Sequence, residues 1–119
     1  IARIRRLLDE RGERALAKLF TAGEAAYAAQ RPEPARHLAA RFAAKEAAYK
    51  ALAGTAAARG IGWQDVEVVV EWDGRPTLRL HGRAAARAAE LGVTRAHLSL
   101  THADATAAAV VVLEADGVR

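Results

Sequence analysis

The chain has 119 residues, 52% of them hydrophobic but only 5% aromatic, and 18 Lys+Arg against 14 Asp+Glu give a net charge of +4. That length suits one domain with a modest, alanine-rich core, and the absence of cysteine excludes disulfides and thiolate metal sites and fits a reducing compartment. The apolar stretch Ala107–Leu113 falls far short of the ~20 residues that cross a bilayer, no signal-peptide pattern is present, and the basic balance favours an acidic partner such as a phosphorylated small molecule, a nucleic acid or an acidic protein.

Taken in chain order, Ile4, Leu7 and Leu8 have the spacing of an amphipathic helix that Gly12 interrupts, and Leu16, Leu19 and Phe20 mark a second short helix. Thr21 followed by Glu24 is a capping box, which predicts a helix through about Gln30. Arg31-Pro32-Glu33-Pro34 is a break. The main helix runs from about Pro34 to Ala53, with Leu38, Phe42, Tyr49 and Leu52 on or near one stripe, and Gly54-Thr55 ends it. The second half turns to strands. Val66, Val68, Val70 and Trp72 alternate with Glu67, Val69 and Glu71 as a half-buried strand. Trp72-Asp73-Gly74-Arg75 makes a hairpin turn and Pro76–His81 returns, with Leu78 and Leu80 inward. Arg83–Leu91 is a helix stopped by Gly92. His97–His102 and Thr106–Glu114 are strands joined by a turn, and the continuous Ala/Val/Leu run of the last predicts burial on both faces. The expected architecture is α+β: N-terminal helices packed on an antiparallel sheet, with one helix inserted, in a single domain over 1–119.

The candidate chemistry centres on the main helix. Glu46 stands one turn before Lys50, so both address one face. A carboxylate that holds Mg²⁺ beside a cation that holds phosphate suits phosphate chemistry, although the same spacing also describes an ordinary solvated helix pair. Lys45 points about 100° away. His102 ends a strand, on the side of Leu98 and Leu100. It reads either as a core-edge histidine or as a side chain delivered into a cleft to meet a phosphate, and Ser99 and Thr101 point the other way. His37, His81, His97 and His102 lack the paired spacing of a metal site. No nucleophile elbow is present, and Gly54-Thr55 is far from a phosphate-binding P-loop.

The segment Phe42, Lys45-Glu46-Ala47 and Lys50, preceded by Arg41, resembles the signature helix of the holo-acyl-carrier-protein synthases, the small 4′-phosphopantetheinyl transferases. Four further segments are similar to that family in the same order. They are Leu19-Phe20-Thr21-Ala22-Gly23-Glu24, Gly62-Trp63-Gln64-Asp65-Val66-Glu67-Val68, Gly74-Arg75-Pro76 and His97-Leu98-Ser99-Leu100-Thr101-His102. The resemblance covers almost the whole chain. Two departures stand out. The family's opening Gly-Ile-Asp strand, with its metal-binding aspartate, is expected ahead of Ile1, and the lack of methionine agrees with a chain that is processed, trimmed or incomplete there. Gly54-Thr55-Ala56 stands where the family often has Gly-Thr-Gly.

The resemblance implies Mg²⁺-dependent transfer of 4′-phosphopantetheine from coenzyme A to a serine of an acidic acyl carrier protein, releasing 3′,5′-ADP, in a cytoplasmic homotrimer. It implies catalytic roles for Glu46 and Lys50, with Glu46 a ligand of Mg²⁺. It implies coenzyme A contacts at Lys50, Gly54, Thr101 and His102, and carrier docking at Arg3 and Arg6. No nucleic acid and no membrane enter that reading. Two rivals remain: a small basic nucleic-acid-binding domain, for which no helix-turn-helix, zinc-finger or RNP-like pattern speaks, and an inactive carrier-docking domain if the aspartate strand is absent from the molecule.

Overall fold

A computed structural model describes residues 1–52, 60–103 and 105–115, apart from the side chains of Leu8, Arg11 and Glu13. Helix α1 spans Ala2–Leu19 and breaks at Gly12, whose φ of 60° and ψ of −141° suit glycine alone among common residues. The two short helices expected there are present, meeting at the Gly12 break. Helix α2 (Ala22–Ala29) starts at the predicted capping box: Thr21 Oγ1 accepts from the Glu24 N–H and the Glu24 carboxylate accepts from the Thr21 N–H. Helix α3 covers Pro34–Leu52 with proline in its first turn, where a missing N–H costs nothing.

A 3₁₀ turn at Trp63–Asp65 leads into β1 (Val66–Val70), which pairs antiparallel with β2 (Pro76–Leu80). Helix α4 (Gly82–Leu91) ends on Gly92 in the left-handed conformation, as its position predicts. Strands β3 (Val93–His102) and β4 (Ala107–Ala115) form a second antiparallel hairpin, in which Ser99 faces Val110 and His102 faces Ala107. The ladders therefore close two two-stranded sheets instead of one continuous sheet.

Alanine lets α3 serve two cores at once. Ala35, Leu38 and Ala39 pack with Ile4, Phe20 and Ala28, while Ala48 and Leu52 pack with Val66, Ala84 and Ala88. Small side chains allow close approach of the neighbouring elements but bury little area each.

Four expectations need correction. The strand before the first hairpin stops at Val70, because the Glu71 N–H bonds Arg75 O and the turn begins early; Trp72 is then 96% exposed instead of inward. Tyr49 leaves the apolar stripe of α3 and stacks on Trp63, and Lys45 takes the buried place one turn before it. Strand β3 begins at Val93, four residues before the predicted start, since the chain extends straight from the Gly92 cap. Strand β4 buries one face only. Val111 and Leu113 pack inward, whereas Val110 is 62% and Val112 49% exposed, because among the described residues no second layer covers that side.

Candidate functional site

The site begins with a lysine that points the wrong way for catalysis. Lys45 is completely buried, and its ammonium lies 2.8 Å from Glu24 Oε1, a carboxylate equally buried. The ammonium also donates to the carbonyl oxygens of Trp63, at 2.8 Å, and Val66. Glu24 in turn accepts from the backbone N–H groups of Thr21 at 2.9 Å and Val68 at 2.7 Å. Burial pushes Lys45 below the ordinary lysine range, and the hydrogen bond and charge of Glu24 oppose that push. This one pair joins the start of α2, the middle of α3 and the start of β1. An ion pair without water is stable only when further hydrogen bonds satisfy both groups, and these do.

A second tie lies beside it. Thr21 Oγ1 donates to Glu67 Oε2 at 2.8 Å, and Glu67 Oε1 is 2.8 Å from His81 Nε2. Burial raises the Glu67 pKa, but the bonds from His81 and Thr21 outweigh it and hold the carboxyl below its ordinary value. Gln64 Nε2 donates to the carbonyls of Phe20, at 2.9 Å, and Ala17, which fixes the end of α1 to the same corner.

With α3 locked in rotation by Lys45, the next residue faces out. Glu46 and Lys50 are both exposed, and no ion pair joins them among the described residues. Phe42, Tyr49 and Trp63 flank them as an aromatic group, with Phe42 5.0 Å and Tyr49 6.4 Å from the Trp63 ring. Among the described residues, a recess of about 320 Å³ is lined by Lys45, Tyr49, Ile61, Gly62, Trp63 and Val66.

A different set of groups gathers near the N-terminal end of α3. The His37 ring sits edge-on between Tyr27, 6.0 Å away, and His102, 5.9 Å away. The guanidinium carbons of Arg31 and Arg41 lie 4.2 and 4.3 Å from the centre of the Tyr27 ring. Arg41 is buried and donates from Nη1 to the His37 carbonyl at 3.2 Å, but its buried Nε has no partner. Burial comes first among the causes that lower the His37 pKa, followed by the charges of Arg41, His102, Arg31 and Arg36.

These two groups stand apart. His37 and Glu46 are nine positions apart on one helix, which places them about half a turn round and about 13 Å along it. The predicted residues are accordingly split. Glu46 and Lys50 share one face of α3, His102 meets the opposite face, and Thr101 is exposed on the other side of β3 from His102. Arg3 and Arg6 are exposed together on α1, whose opposite face buries Ile4. Gly54 lies outside the described residues.

Sequence reasoning missed the partnership of Lys45 with Glu24 and the cluster round His37. The first joins residues 21 positions apart and leaves no local trace. The second had a signal, because His37 and Arg41 occupy one row of α3.

The residues present suit a hard cation in one respect. Among the described residues no three His, Cys, Asp or Glu side chains gather, so Glu46 offers a single carboxylate. Mg²⁺ is held by one or two carboxylates together with substrate phosphates and water, so an exposed glutamate beside a lysine fits as part of such a set.

Comparison with known proteins adds to this geometry. The family model of the 4′-phosphopantetheinyl transferase superfamily matches residues 1–111. A holo-acyl-carrier-protein synthase from Anaeromyxobacter sp. (strain K) is 49% identical over 120 residues, covering 98% of this chain and 91% of the relative. The crystal structure of holo-acyl-carrier-protein synthase from Neisseria meningitidis is similar with a TM-score of 0.81 at 29% identity, over 95% of this chain and 90% of that one. The ACPS–coenzyme A complex of Chronobacterium ammoniagenes has a TM-score of 0.81 at 27% identity, over 98% and 91% of the two chains.

Proposed function

The chain belongs to the 4′-phosphopantetheinyl transferase superfamily as a holo-acyl-carrier-protein synthase, and we propose that it transfers 4′-phosphopantetheine from coenzyme A to a carrier serine in a Mg²⁺-dependent reaction that releases 3′,5′-ADP. The observation that carries this reading is the outward pair Glu46 and Lys50 on a helix that a buried lysine holds in place.

The carrier serine supplies the nucleophile, so this chain needs none. Its hydroxyl oxygen forms a bond to the phosphorus that bears the pantetheine arm. The bond from that phosphorus to the oxygen of 3′,5′-ADP breaks, and the hydroxyl proton passes to Glu46 or to a water that Glu46 orients. Glu46 would also serve as a magnesium ligand. Bound Mg²⁺ supplies neutralisation of the pyrophosphate charge. Lys50, one turn on, clamps the phosphate that gains charge as the bond breaks. Gly54, Thr101 and His102 are assigned to coenzyme A contacts, and Arg3 and Arg6 to an acidic carrier whose approach weakens in salt.

A homotrimer with sites at subunit boundaries belongs to the same proposal. Two observations support it: the functional groups lie on opposite faces of α3, which a second copy would bring to one boundary, and the outward valines of β4 have no cover among the described residues. Among the described residues no helix is long and apolar enough to cross a membrane, and a cytoplasmic location is proposed with the activity.

The test is direct. Full-length protein incubated with coenzyme A and an apo-carrier should add the phosphopantetheine mass to the carrier and release 3′,5′-ADP with Mg²⁺, and do neither after EDTA treatment. A carrier left unmodified in Mg²⁺ refutes the activity; undiminished transfer in EDTA refutes the metal. Lys50→Ala should lower turnover by about two to three orders of magnitude, the usual loss when a charge-assisted contact made in the transition state disappears. An unchanged rate would return Lys50 to an ordinary solvated helix position.

A further inference from the structure

We propose that His37 takes up a proton when a phosphate group of coenzyme A enters the basic cluster it shares with Arg31, Arg41 and His102, so that capture of the coenzyme tightens as the pH falls below neutral. The inference rests on the coenzyme A reading of His102 and adds a residue and a proton that this reading does not contain.

The argument starts from the charges round the ring. The groups that face His37 are Tyr27 from α2, Arg31 from the turn after it, Arg36 and Arg41 from its own helix, and His102 from β3. Arg36 is occupied by Glu33 at 3.0 Å. Arg31, Arg41 and His102 concentrate positive charge beside the Tyr27 ring, and Arg41 brings a buried Nε–H with no acceptor. A buried donor without a partner is costly, so an anion seated there recovers something the free protein lacks. Arg31 and His102 are exposed and His37 is half-buried, so the cluster is open to a ligand.

The sign follows from linkage. In the free protein, burial and the neighbouring cations keep the His37 imidazole neutral to a lower pH than usual. A bound phosphate cancels the repulsion from Arg31, Arg41 and His102, and its oxygens accept from an imidazolium. The pKa of His37 therefore rises on binding. Between the free and the bound values, binding takes up one proton. A rise of about one unit makes binding about tenfold tighter at a pH below both values than at a pH above both. The alternative is that His37 only packs against Tyr27, in which case binding leaves its proton affinity where it was.

The experiment follows the imidazole signals of His37 by NMR in the full-length protein, titrated with and without saturating coenzyme A. Affinity for coenzyme A is measured in parallel at pH 6 and pH 8 for the wild type and His37→Phe. The ring of the phenylalanine keeps the edge contact with Tyr27. The expected result is a rise of at least about one unit in the His37 midpoint and a pH-dependent gain in affinity that His37→Phe loses. Coenzyme A binding with an unmoved His37 midpoint overturns this inference and leaves the proposed activity standing. Failure of coenzyme A to bind at all overturns both. The site-specific signal separates His37 from the titration of the coenzyme phosphates, and it needs no variant to fold.

Discussion

Glu46→Gln in the full-length protein should abolish transfer to the carrier, with a loss of at least about a thousandfold, while thermal unfolding stays within about 0.5 kcal/mol of the wild type. The two halves of that expectation come from the same fact. Glu46 is exposed and carries no described hydrogen bond or ion pair, so folding does not depend on its charge. The amide keeps the size of the side chain and its helix propensity nearly unchanged. It removes the negative oxygen that a hard cation requires and the basic group assigned to the serine proton. The measurement is carrier mass against time, paired with a melting curve at one protein concentration, since a multimer melts in a concentration-dependent way. Turnover at the wild-type rate would make Glu46 one half of a solvated helix pair and move the metal elsewhere.

Lys45→Met, one residue away, should do the reverse. It should destabilise the fold by about 3–5 kcal/mol, because Glu24 is left charged and dry with no counter-ion. For a domain of this size that lowers the melting temperature by more than about 10 °C. The double variant Glu24→Gln, Lys45→Met should recover part of the loss, since the amide still accepts from the N–H groups of Thr21 or Val68 without a buried charge. Additive losses in the double variant would show that shape, not charge, is what Lys45 contributes. Adjacent residues of the most recognisable segment in the chain thus divide the work: one is read out in rate, the other in melting temperature.

The local parts of this fold were legible. The Thr21–Glu24 capping box, the glycine stops at Gly12 and Gly92 and the two hairpins each rest on residues within a few positions of one another, and each stands as expected. What could not be read was long-range. The second role of Glu24 depends on Lys45 and Val68, 21 and 44 positions away. Lysine is almost never fully buried unless paired, so periodicity gave Tyr49 a place on the apolar stripe and gave no sign that Lys45 is buried. Strand β4 misled for a related reason. Its run of alanine and valine describes a strand covered twice, but the described residues supply one cover. At the site, the spacing placed Glu46 and Lys50 on one helix face, whereas the distance of His102 from them follows from how β3 crosses α3 and has no signature in the chain.

The contrast between the chain's two tryptophans has a practical side. Trp72 stands in water at the tip of the first hairpin, and Trp63 lies against Phe42 and Tyr49 on the helix that carries Glu46. Their fluorescence therefore separates: the solvent-bathed indole sets a constant red-shifted background, and the stacked one responds to whatever occupies the neighbouring face. Replacing the exposed Trp72 with phenylalanine turns the protein into its own single-tryptophan probe, with no label attached near the chemistry.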